Sequence, residues 1–289
     1  MLVTWKYRPR NTFIQRLDPR ARLIMLVSVT IAFTQLWDLR IVIPLFLFAL
    51  GLYLAARIEW ADVRRAWMFI FTFVLLITVF NTLLGARGGP PSVRIDESEA
   101  LWQLAFTVPG VGWHVDIGLT VNRFIFMISQ FMRMVGMSLM AIPIPYTFKP
   151  TEYGIAFRQM GVPDKAAYSI DLAFRLVPTL GRDFNTTLDA QRARGYELER
   201  LQGGLFERIR KLSPLLVPVV VHAIVGGEEI VDAMDLRAFG THPRTWSGRL
   251  KFKPRDYVFM LVGLVILIGS IILAMNGFDD IWVPPFLFP

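Results

Sequence analysis

Five apolar stretches, at 23–37, 41–56, 66–84, 119–144 and 257–275, are what most restricts the folds open to this chain. A helix needs about 20 apolar residues to cross the hydrocarbon core of a bilayer, and somewhat fewer where flanking side chains snorkel. The last three stretches are long enough. The first two are shorter and are joined only by Asp38, Leu39 and Arg40, so they read as a tight helical hairpin, with a re-entrant pair as the competing reading. With 54% hydrophobic residues, 23 Phe and 8 Trp among 289 residues, the chain carries more apolar surface than one soluble core can bury. The expected fold class is an all-α polytopic membrane protein with about five transmembrane helices and a helical cytoplasmic domain.

Orientation follows from the bias of Lys and Arg in short flanking segments. Lys6, Arg8, Arg10, Arg16, Arg20 and Arg22 precede the first stretch against the single acid Asp18, and Arg57, Arg64 and Arg65 lie between the second and third. These flanks predict a cytoplasmic N-terminus. Residues 85–118 hold more acids than bases, and the tail after Met275 has Asp279 and Asp280 with no base, so both are expected outside. That assignment agrees with five crossings. No cleavable signal peptide is visible, because the basic stretch runs past residue 20 with no small-residue cleavage site after the first apolar run. The net charge of +8 is accounted for by this topology and does not require nucleic acid.

The division predicted is a membrane domain at 1–144, a cytoplasmic domain at 145–256, and a final span with an outer tail at 257–289. The middle segment is too long for a connector. Lys149-Pro150-Thr151-Glu152 opens a short helix that Gly161 closes, and Pro163-Asp164 opens the next. From there Ile170, Phe174, Val177, Phe184 and Leu188 recur at helical spacing, predicting an amphipathic helix, kinked at Pro178, that ends at Arg194-Gly195. Gly203-Gly204 breaks the chain. A second long segment then runs from Leu205 to Arg237, bent or split by Pro214 and Pro218. Between Leu215 and Val225 it is apolar on nearly every face, which suits the membrane interface or the bilayer itself.

Each long helix therefore delivers an arginine at its C-terminal end, in Ala193-Arg194-Gly195 and in Leu236-Arg237-Ala238. Carbonyls at a helix C-terminus carry partial negative charge that favours a cation, and a small residue just beyond lets the chain turn away. These six residues are the candidate docking site. The tripeptide alone carries little, since Ala86-Arg87-Gly88 also occurs, in a Gly/Pro-rich loop with no such helix before it.

Other chemistry lacks its parts. The chain has no cysteine and only three histidines, none paired at a metal-ligand spacing. There is no Walker A phosphate cradle, no His-Glu-x-x-His and no Gly-x-Ser-x-Gly. The expectation is a non-enzyme that binds no cofactor or metal of its own. A membrane-anchored enzyme and a self-sufficient carrier are the alternative classes.

Several stations in order resemble the transmembrane T component of energy-coupling factor transporters, the EcfT or CbiQ family. They are Arg16-Leu17-Asp18-Pro19-Arg20-Ala21-Arg22-Leu23, Gly161-Val162-Pro163, Arg175-Leu176-Val177-Pro178, Gln191-Arg192-Ala193-Arg194-Gly195, and Asp232-Ala233-Met234-Asp235-Leu236-Arg237-Ala238-Phe239. The last departs from the family's Ala-Arg-Gly, with Leu236 for Ala and Ala238 for Gly. The resemblance implies two ABC-type ATPase subunits, as a homo- or heterodimer, docked on the two arginine-ended helices. It also implies a membrane-embedded S component that binds a vitamin or metal ion, with ATP and Mg on the partner subunits and a place in a prokaryotic cytoplasmic membrane.

Further residues carry plainer expectations. Arg20 and Arg22 read as arginines snorkelling at a membrane edge. Arg133, inside a span, reads as a structural pairing with the backbone of a neighbouring helix, with direct substrate contact as the alternative. His222 reads as a buried, hydrogen-bonded histidine, and Glu228, Glu229 and Asp232 as a solvated face, as partners of Arg208, Arg210 and Lys211, or as partners of the ATPase subunit that the resemblance implies. Met127, Met132, Met134, Met137 and Met140 suggest an adaptable packing face.

Overall fold

The computed structural model describes residues 7–83, 89–90, 102–107, 114–195, 205–242 and 248–282, without the side chains of 102–107, 114–119 and 205–212. Ala86-Arg87-Gly88, Gly203-Gly204 and the side chains of Arg208, Arg210 and Lys211 lie outside the described residues. The chain divides into two compact units, one of Arg8–Phe148 with Lys251–Pro289 and one centred on Lys149–Leu250.

The first unit is a bundle of α1 (Pro19–Gln35), α2 (Leu39–Ala55), α3 (Trp60–Leu83), α4 (Val121–Ala141), the short α5 (Pro143–Thr147), and α9 (Pro254–Leu273). The five long helices coincide with the five apolar stretches. By length and composition Trp60–Leu83, Val121–Thr147 and Pro254–Phe278 are sufficient to cross a membrane. Helices α1 and α2 have 17 residues each, about 25 Å of rise, which is shorter than a bilayer core of about 30 Å. The segment between α3 and α4 is not wholly irregular. It holds one antiparallel ladder, β1 (Trp102–Thr107) with β2 (His114–Leu119), in which Trp102 faces Leu119 and Thr107 faces His114.

Helix α1 packs along α9 and α4, while α2 and α3 pack on α4. The core between them joins Met25, Val29, Ala32 and Phe33 of α1 to Val42, Leu45 and Ala49 of α2, Val74 of α3, and Val135, Leu139 and Met140 of α4. Met132, Met134 and Met137 pack against this core, so three methionines of α4, with Met140, serve the bundle itself. Gly136 makes room for the ring of Phe33. A Cβ there would lie 2.4 Å from Cζ of Phe33, so a larger residue would have to displace that ring.

Helix ends inside this bundle are satisfied by neighbours. The last carbonyls of α1 would be orphans in an apolar medium. Arg133 of α4 donates from Nε to the carbonyl of Phe33 and from a terminal nitrogen to that of Thr34 (2.7 Å), and its guanidinium lies 3.5 Å from the Trp37 ring centre. Ser129 donates to the carbonyl of Trp37 (2.7 Å). The expected backbone pairing of Arg133 thus becomes a helix cap supplied across the bundle.

The Leu17-Asp18-Pro19-Arg20 turn ties the start of α1 to the start of α9. Asp18 caps α1 by accepting from the Arg20 N–H, and its own N–H donates to Asp256 Oδ1 (2.9 Å). Asp256 Oδ2 accepts from the Lys253 N–H (2.7 Å), so one carboxylate serves two helix N-termini. The Arg20 guanidinium forks onto both oxygens of Asp18 and lies 3.6 Å from the Phe252 ring centre. Arg22 donates to the carbonyl of Thr147 (2.9 Å) over the Phe148 ring. Both arginines are buried within the protein, which corrects the snorkelling expectation: fixed carboxylate, carbonyl and ring partners offset the loss of water.

The second unit begins with a single turn at Pro150–Glu152, followed by α6 (Tyr153–Gln159), α7 (Asp164–Ala193) and α8 (Leu205–Leu236). Gly161, at φ 101°, closes α6 as expected, with the Val162 N–H reaching back to the carbonyl of Phe157 (3.1 Å). Gly154 lets α6 meet α7, since a Cβ there would sit 2.6 Å from Cβ of Asp171. Helix α7 is continuous through Pro178, and α8 is one helix through Pro214 and Pro218 rather than two. The reason at Pro218 is local. Its missing N–H would have bonded the carbonyl of Pro214, and Gln191 Nε2 of α7 supplies that donor instead at 3.3 Å.

His222 departs from its expectation. Its side chain is 70% exposed and lies 3.9 Å from Asp183 of α7.

Candidate functional site

Contacts along α7 and α8 fix their relative direction. Gln191 meets Pro214, Asp183 meets His222, and the ring of Tyr168 lies 4.7 Å from that of Phe239. The two helices therefore run antiparallel, and the Arg194 and Arg237 ends stand at opposite ends of the pair. At 1.5 Å per residue, the stretch of α7 from Tyr168 to Arg194 separates them by about 40 Å.

Both ends are built alike. Arg194 is the last residue of its helix turn, with its N–H on the carbonyl of Ala190, and Gly195 follows at φ 85°, donating to the carbonyl of Arg192 (2.9 Å). At the second end the Arg237 N–H bonds the carbonyl of Met234 (3.1 Å), the Ala238 N–H that of Asp235 (2.9 Å), and the Phe239 N–H that of Met234 (3.0 Å). This is a complete Schellman closure, and Phe239 folds back beside Met234 as such closures favour. Ala238 holds φ 50°, a left-handed conformation that suits glycine better. Ala238 therefore keeps the turn and carries strain that glycine would not.

Ala193, Arg194, Gly195, Leu236, Arg237 and Ala238 are all exposed. Leu236 is 90% exposed, the most of any large apolar side chain among the described residues. A cavity of about 310 Å³ lies behind the second end, lined by Tyr168, Ile230, Ala233, Met234, Arg237 and Phe239. A larger one of about 570 Å³ opens between α7 and α8, with Leu172, Leu176, Val231 and Met234 beside Glu228 and Asp232. No group of three or more His, Cys, Asp or Glu among the described residues is placed to hold a metal ion.

Along α8 the chain exposes Leu216, Val217, Val220, Val221, Ile224 and Val225, and Ser213–Leu236 is itself long and apolar enough to cross a membrane. This face matches the apolar run seen in the sequence between Leu215 and Val225. Only Leu215 of that run is fully buried.

Sequence reasoning found both arginine ends but not the Gln191 brace. Its signal was present: a proline in a helix orphans the carbonyl four residues earlier, and Gln191 lies within the first signature.

The sequence model of the CbiQ family, described as cobalt transport protein, matches residues 10–246. Among curated proteins, the chain is similar to three named energy-coupling factor transporter transmembrane protein EcfT. That of Clostridium kluyveri is 26% identical over 272 residues, covering 92% of this chain and 94% of the relative. That of Thermotoga maritima is 27% identical, covering 91% of each. That of Lacticaseibacillus paracasei is 28% identical, covering 94% of this chain and 98% of the relative.

Proposed function

We propose that this chain, which belongs to the CbiQ family and is a multi-pass transmembrane component of an energy-coupling factor transporter, carries the motion of two ATPase subunits to a substrate-binding membrane partner. The observation that carries this reading is the antiparallel α7–α8 pair with an exposed arginine closing each end. Two such ends about 40 Å apart are too far separated to serve one small ligand and suit two protein subunits of ordinary domain size. A guanidinium offers a rigid fork of donors for carboxylates or helix-end carbonyls and stays charged throughout a nucleotide cycle.

In this reading ATP and Mg are bound and turned over on the partner subunits, and this chain is a non-catalytic lever. The residues 145–256 are cytoplasmic, as is the N-terminus, in a prokaryotic cytoplasmic membrane. The exposed Val217, Val220, Val221, Ile224 and Val225 face is covered in the assembly by the membrane-embedded S component, which holds the vitamin or metal ion. Burying such a face is favourable at about 25 cal/mol per Å² of apolar surface removed from water.

Reconstitution tests it. The wild-type chain is expected to co-purify with ATPase subunits and to support ATP-dependent uptake only in their presence. The Arg194→Ala, Arg237→Ala double variant is expected to lose the ATPase subunits or to hydrolyse ATP without uptake. Wild-type uptake by that variant would refute the coupling role.

A further inference from the structure

The two arginine ends differ in what surrounds the guanidinium. Beside Arg194 stands Ala193, with little apolar surface to offer. Beside Arg237 stands Leu236, whose side chain is 90% exposed. A leucine held in water on a fixed helix turn forgoes a large part of its burial free energy, and alanine there would favour the helix more. The same last turns of α8 carry Glu228, Glu229, Asp232 and Asp235, all exposed and none in an ion pair or side-chain hydrogen bond among the described residues. Of these, Asp235 lies in the last turn, where an acid opposes the helix dipole. The second end is thus locally unfavourable in two independent ways.

We infer that Leu236 is the anchor of the second end, seated in an apolar pocket on the ATPase subunit that receives Arg237, with basic side chains at the pocket rim facing Asp232 and Asp235. The inference rests on the coupling role proposed above and adds the chemistry of the partner surface. Charge selects the occupant. A cytoplasmic membrane leaflet is anionic and repels four carboxylates around a would-be lipid anchor, and a second copy of this end would bring like charges together. A protein pocket with a basic rim satisfies the leucine and the acids at once. The first end, with Ala193 and with Arg192 beside Asp189, calls for a shallower and less basic groove. Leu236 therefore determines which groove takes which end.

The Leu236→Ala variant tests this in the full assembly, with affinity for purified ATPase subunits measured in nanodiscs at low and high salt. Alanine is the better helix former and the site is on the surface, so folding is not at risk. Leu236→Ala is expected to weaken binding about tenfold or more at both salt concentrations. The Asp232→Asn, Asp235→Asn pair is expected to weaken it about threefold at low salt and to flatten its salt dependence. Because the chain has no cysteine, Leu236→Cys provides a lone thiol for cross-linking. A product with an ATPase subunit supports the assignment; a product with the S component alone, or with lipid alone, overturns it. Wild-type affinity for Leu236→Ala also overturns it. The Arg194→Ala, Arg237→Ala variant is run alongside: if that variant releases the ATPase subunits while Leu236→Ala does not, the anchor falls and the coupling role stands, and if neither does, both fall.

Discussion

Gln191 of α7 donates its side-chain N–H to the carbonyl of Pro214 on α8 at 3.3 Å, the carbonyl that Pro218 leaves without its helical partner. The contact repairs one helix with a residue from the last turn of the other, and it lies one turn from Arg194. The end of α7 and the continuity of α8 are therefore one structural event.

A double-mutant cycle exposes this coupling. Gln191→Ala is expected to lower thermal stability by about 0.5–1.5 kcal/mol, the net worth of a hydrogen bond. In a Pro218→Ala background, where the helix supplies its own N–H, the same substitution is expected to cost almost nothing. Equal costs in the two backgrounds, read by thermal unfolding, would show that the brace is incidental.

The left-handed turn at Ala238 makes a second case. Ala238→Gly is expected to stabilise the end of α8 by about 1 kcal/mol by removing the Cβ strain, and Gly195→Ala to destabilise the end of α7 by a similar amount. Hydrogen exchange at the two closures reads both, with slower exchange after Ala238→Gly and faster after Gly195→Ala. A loss of protection in Ala238→Gly would contradict the strained turn.

Arg133 anchors the end of α1 from within the bundle. Replacing it with methionine removes a buried charge, which helps, but leaves the carbonyls of Phe33 and Thr34 without donors, at about 1–3 kcal/mol each. The expected outcome is a lower melting temperature in detergent with faster hydrogen exchange confined to the last turn of α1 and its link to α2. Uniform acceleration throughout α9 as well would mean that the arginine supports the whole bundle rather than one helix end.

Much of this was legible from residue order. Apolar runs located the bundle helices because hydropathy and length set where a chain enters lipid, and Pro150, Gly161 and Gly195 marked boundaries because ring closure and the missing Cβ act locally. The ladder of 102–107 with 114–119 was missed although its signal was present: Trp102, Leu104 and Phe106, then Val115, Ile117 and Leu119, alternate with the period of a strand. His222 was misjudged for a different reason. An apolar run predicts burial only if something within the same chain covers it, and α8 turns that face outward.

The sequence by itself determined the number and order of apolar helices, the breaks between them and the two arginine-closed ends, all of which depend on neighbours within a few residues. Only the tertiary structure decided that Arg20 and Arg22 serve as internal ties, that Gln191 meets the carbonyl orphaned by Pro218, and that α7 and α8 run antiparallel with their arginines at opposite ends. Those outcomes depend on which donor meets which orphaned carbonyl across the fold, a pairing set by packing between distant segments.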